Sequence, residues 1–204
     1  MQALAHVFGH QTHHRGQTHA LLTRLTGDAL APDLPAPDLI DPLREPTDMS
    51  AQKTWWAEDF IPGLTFETPG FTMTEAAIIN YAMMYDPQPF HTDVTAAEAS
   101  IYGGLIASGF HTLSTAFRLW QGMGIINPAS QGAPGMDELV WKAPVRPGDT
   151  IRGVVKVTSQ RMSASRPTLG IIGWRTEVFN QRDELVMSFA GPAMYLRRPE
   201  NRVA

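Results

Sequence analysis

Apolar and polar positions alternate most regularly in the last third of the chain. In TIRGVVKVTSQ (150–160), Ile151, Val155 and Val157 stand opposite Arg152, Lys156 and Thr158, the two-residue period of a half-buried strand. MDELVWKAPV (136–145) sets Leu139, Trp141 and Ala143 against Asp137, Glu138 and Lys142 less regularly, and RPGD (146–149) supplies a turn between the two runs. TLGIIGWRTEVFN (168–180) and ELVMSFAGPAMYL (184–196) are two further β-rich runs joined by the hairpin-length QRD. An earlier run, LTFETPGFTM (64–73), reads as a strand broken at Pro69–Gly70.

The period lengthens in the middle of the chain. TMTE (72–75) has the form of a capping box and predicts a helix whose buried stripe is Ile78, Tyr81, Ala82 and Tyr85. TAAE (95–98) predicts a second, short helix in the same way. After GGLIASG comes a third, nearly apolar one, with Phe110, Leu113, Phe117 and Trp120 on one side, and it is expected to be buried. YDPQPFHTD (85–93), between the first two, reads as a rigid loop because Pro87 and Pro89 fix φ. One long buried helix followed by four long antiparallel strands predicts an α+β fold, a curved sheet wrapped around a helix.

The first 48 residues have a different texture. Residues 1–30 carry five of the chain's seven histidines and are mostly helix-compatible; 31–48 carry five of its sixteen prolines and read as a linker. The expected division is therefore a short N-terminal helical extension (1–30), a Pro-rich linker (31–48) and a main domain (49–204), with Met49 the expected natural first residue of that domain.

Composition narrows the chemistry. The 204 residues have an ordinary apolar share of 43% and a formal charge of −4 with dispersed basic residues, which gives no electrostatic footprint for nucleic acid or an anionic membrane. The absence of cysteine excludes disulfides, thiolate nucleophiles and cysteine-based zinc sites. No apolar run is long enough to span a bilayer, and no leader pattern is visible, so a cytoplasmic location is expected. The expected partners are small molecules or another protein chain.

Two constellations carry possible chemistry. Asp86 and His91, five residues apart on the proline-bracketed loop, can turn toward a common point and polarise a water between them. On spacing alone the simpler reading, a turn cap and a core histidine bonded to a backbone carbonyl, is the preferred one. GGLIASGFHT (103–112) places small residues at the start of the third helix, where free N–H groups at Gly109 could hold a developing oxyanion; the glycines could also serve only to let helix and sheet approach. WKAPVRPGDTI (141–151) shows no chemistry of its own. Arg118, Arg146 and Arg161 are available to phosphate by charge, and each also fits a solvated surface.

YDPQPFHTD, GGLIASGFHT and APVRPGDTI, in this order and spacing, resemble the MaoC-like dehydratases, a branch of the hot-dog fold that includes the (R)-specific enoyl-CoA hydratases. The resemblance covers about 55–198. It implies that Asp86 and His91 activate the catalytic water and that the Gly109 N–H holds a thioester carbonyl. It also implies an acyl-CoA substrate, with no cofactor and a homodimer. Gly104, Ser108, Tyr85 and Gln88 are expected to contact substrate; Tyr85 and Gln88 stand where the family has glycine and asparagine, and so should alter pocket shape. A hot-dog thioesterase and a non-catalytic acyl-CoA- or metal-binding module are the alternatives. The N-terminal stretch is similar to the closing helix of DinB-like bundles, which implies His10 and His14 as metal ligands; without the family's third histidine the site would be open. The account preferred for this stretch is a remnant of a fused or wrongly started reading frame.

Overall fold

A computed structural model describes residues 53–201. The chain divides into two units, Met1–Ser50 and Ala51–Ala204, and the described residues all belong to the second. The expected helical extension, the DinB-like resemblance, His10 and His14 and the linker lie outside the described residues.

Among the described residues six strands are present: β1 (Thr65–Glu67), β2 (Phe71–Thr72), β3 (Asp137–Trp141), β4 (Thr150–Met162), β5 (Leu169–Phe179) and β6 (Leu185–Leu196). They form an antiparallel sheet in the order β1-β4-β5-β6-β3, with β2 pairing the start of β4. The break at Pro69–Gly70 separates β1 from β2, as the sequence predicts. Alternation holds along the long strands: Ile151, Val155 and Val157 of β4 and Ile172, Trp174 and Val178 of β5 are buried. The hairpin between β5 and β6 is held by Asn180, whose carboxamide oxygen accepts from the Arg182 and Glu184 amides.

Four α-helices among the same residues precede or interrupt the sheet: α1 (Glu75–Tyr85), α2 (Pro89–Thr92), α3 (Val94–Glu98) and α4 (Gly109–Gly122). Here the local expectations need correction. Thr74, not Thr72, caps α1 by accepting from the Ala77 amide, and Asp93, not Thr95, caps α3 by accepting from Ala96. In both cases a nearer side-chain oxygen satisfies the free donors of the first turn. The stretch expected as a loop contains a helical turn, α2, which Pro89 starts with its preset φ at the first position. Only Ile78 and Ala82 of the predicted α1 stripe are fully buried, and Tyr85 is 67% exposed.

The largest correction concerns α4. Its buried residues are His111, Thr112, Thr115, Ala116 and Trp120, while Phe110 and Phe117 are exposed. Small side chains let the helix lie close to the sheet, and that requirement overrides the apolar stripe. Trp120 is the large side chain that joins the core, its ring 5.3 Å from Trp174 and 6.1 Å from Phe189. Phe60, which follows a short 3-10 turn (Ala57–Asp59), closes this aromatic layer against Trp174 and Tyr195. A helix held against one face of an antiparallel sheet in this strand order is the hot-dog arrangement, an α+β fold. Among the described residues no helix is long and apolar enough to cross a membrane.

Candidate active site

Three elements meet where α1 ends. Asp86 is the C-terminal cap of α1, its amide bonded to the Ala82 carbonyl, in a non-helical conformation that turns the chain into Pro87. His91 lies on α2 and is buried; its Nδ1 lies 2.8 Å from the Ile106 carbonyl oxygen. A carbonyl only accepts, so Nδ1 carries a proton, and Nε2 is left facing Asp86 Oδ2, 3.5 Å away. A carboxylate oxygen and an imidazole nitrogen at this separation can both hydrogen-bond to one water.

The carboxylate is held on both oxygens. Gln88 Nε2 donates to Oδ1 at 2.8 Å, and Ser108 Oγ donates to Oδ2 at 2.7 Å. Ser108 is also the N-cap of α4 and accepts from the Phe110 amide at 3.2 Å, so one hydroxyl ties the carboxylate to the start of that helix. Burial alone would raise the Asp86 pKa. The Ser108 and Gln88 hydrogen bonds and the nearby His91 outweigh it and hold the carboxyl below its usual range.

A cavity of about 460 Å³ opens onto this pair. Asp86, Gln88, His91 and Gly109 line it, as the sequence suggests, whereas Ser108 acts on Asp86 from behind. Tyr85 and Gly104 are not part of the wall: the Tyr85 ring packs on Tyr81 at 5.0 Å, and Gly104, at φ +149°, faces Arg146. Sequence reasoning missed the opposite wall, Trp141 to Val145, which carries an indole and the Lys142 ammonium. The turn chemistry of RPGD was the available signal. Asp149 accepts from the Arg146 amide, and the Val145 carbonyl accepts from Ala107, so the turn fastens this wall to the approach of α4.

The Gly109 amide takes part in no hydrogen bond among the described residues, whereas those of Phe110 and Thr112 are occupied. Gly109 is also where the backbone of α4 meets Trp141: a Cβ there would stand 2.5 Å from the indole Cε2 and Nε1. A free amide at a helix N-terminus, an anchored carboxylate and an imidazole around one cavity are groups able to carry acid–base chemistry beside a carbonyl.

The MaoC like domain family matches residues 59–172, and the chain belongs to that family. The crystal structure of a MaoC-like dehydratase from Rhodospirillum rubrum is 36% identical, covers 71% of this chain and 99% of its own, and superposes with a TM-score of 0.64. Protein MaoC of Klebsiella aerogenes is 36% identical over 105 residues, 51% of this chain; that match spans only 30% of the Klebsiella protein. The R-hydratase of Pseudomonas aeruginosa, at 19% identity, shares the fold over 70% of this chain and 86% of its own with a TM-score of 0.55.

Proposed function

We propose that the unit formed by residues 49–204 is a hydro-lyase that hydrates 2-enoyl-CoA and dehydrates 3-hydroxyacyl-CoA, acting in the cytoplasm as a homodimer. The observation that carries this reading is the Asp86–His91 pair, with Oδ2 and Nε2 3.5 Å apart at the wall of a cavity that Gly109, with its free amide, also lines. A thioester carbonyl docked on Gly109 gains stability as negative charge develops on its oxygen, which makes C3 electrophilic and C2 basic in turn. Asp86 takes one proton from water as the oxygen adds to C3. His91 positions that water and helps return the proton to C2, so both side chains end the cycle as they began. The reverse sequence expels water from a 3-hydroxyacyl thioester.

The test is loss of the enoyl-thioester absorbance of crotonyl-CoA, with free thiol followed in parallel. Enoyl loss without thiol release, reduced about 10³-fold in Asp86→Asn, is the expected result. Thiol release instead would transfer the site to a thioesterase reaction, and no turnover with either protein would leave an acyl-CoA-binding module.

A further inference from the structure

An oxyanion is held best by two donors, and the first turn of α4 offers the cavity only one. The Phe110 amide is taken by Ser108 Oγ, the Thr112 amide by the Ser108 carbonyl, and His111 does not reach the wall. Another N–H without a hydrogen bond among the described residues comes from the far wall of the cavity, Trp141 to Val145. Trp141 sits at the end of β3, where pairing with Met187 and the Lys142 amide bond to the Val186 carbonyl fix its backbone, and Phe110 meets its ring edge-on at 5.8 Å. The residue is 44% exposed, and no hydrogen bond among the described residues uses its Nε1.

We propose that the Nε1–H of Trp141 is the second donor to the thioester oxygen, opposite the amide of Gly109. Nε1 stands 2.5 Å from the point a Gly109 Cβ would occupy. That point is about 2.5 Å from the Gly109 nitrogen by standard backbone dimensions, so the two nitrogens are within about 5 Å of each other. Two donors each about 3 Å from one oxygen can be up to about 6 Å apart, so a single carbonyl oxygen can accept from both. Gly109 is then required twice. It supplies one donor through its amide, and by lacking a side chain it admits the indole that supplies the other. The inference rests on the thioester reading of the site and names a catalytic residue for it on β3, outside the three motifs that carry the family resemblance.

The experiment replaces Trp141 in the full chain by 3-benzothienylalanine, which keeps the ring outline and puts sulfur in place of N–H; Trp141→Phe is the simpler companion. Two quantities are read: kcat and KM on crotonyl-CoA, and the carbonyl stretch of bound, unreactive butyryl-CoA by infrared difference spectroscopy. The expected result is a fall in kcat of about 10²-fold with KM changed less than about threefold, and a carbonyl band displaced back toward its solution position. An unchanged kcat and band in the benzothienyl protein would overturn the proposal and leave Trp141 a wall. If the parent protein turns over no crotonyl-CoA but still shifts the butyryl band, the band alone decides. If it does neither, the thioester reading falls, and the second donor with it.

Discussion

At its first turn α4 is held by a hydroxyl, a bare glycine and two half-exposed aromatic rings, whereas eleven residues on, about 16 Å along the axis, Trp120 is sealed between Trp174 and Phe189. The Trp120 Nε1 has no partner among the described residues, so that ring is held by packing alone. The first turn has the opposite balance, with polar contacts from Ser108 and little apolar burial. Stability and chemistry are thus placed at different ends of one helix, and each should respond to mutation separately.

The packed end should give the larger stability effect. Trp120→Ala removes the ring that joins helix to sheet and should cost about 3–5 kcal/mol, visible as a large fall in Tm, while the protein that remains folded keeps its turnover. Equal loss of kcat and stability would show that the two ends are not independent. Gly109→Ala should come next, at about 1–3 kcal/mol, because its methyl group meets the Trp141 ring at 2.5 Å. Its loss of activity should exceed its loss of stability, and a crystal structure should show the indole displaced.

Ser108→Ala is the smallest and most diagnostic change. It removes the α4 cap, worth about 1 kcal/mol, and one of the donors that lower the Asp86 pKa. Asp86 must be ionised to accept a proton, so the acid limb of kcat/KM should move to higher pH in the variant. The linkage has a definite sign. A carboxyl whose folded pKa is depressed stabilises the fold above its unfolded value, about 3.9, and loses that contribution as pH falls through the folded value. The electrostatic part of the Tm difference from the parent should therefore be full at neutral pH and shrink below about pH 4. A difference constant across that range would assign the effect to the cap alone.

The same contrast explains what was legible in the sequence. The long strands declared themselves through alternation, because Ile151, Val155 and Val157 point to one face whatever the rest of the chain does. Asp86 and His91 were legible because they are close in sequence, with Pro87 and Pro89 stiffening the chain between them. The inward face of α4 was not: Thr112, Thr115 and Ala116 face the sheet since it needs small residues there, and single-sequence apolarity points instead to Phe110 and Phe117. Trp141 was hidden for a different reason. It meets Gly109 from thirty-two positions away, through sheet pairing that no local pattern encodes.

The two edges of the described domain are clasped together: Arg197 pairs with Glu58 at 3.2 Å, and the Arg198 amide donates to the other oxygen of the same carboxylate at 3.0 Å. A polypeptide that enters and leaves its fold at one place can be cut elsewhere and rejoined there. A circular permutant linking residue 201 to residue 53 and opened in the exposed turn at 163–168, away from the cavity wall, should keep the pocket intact.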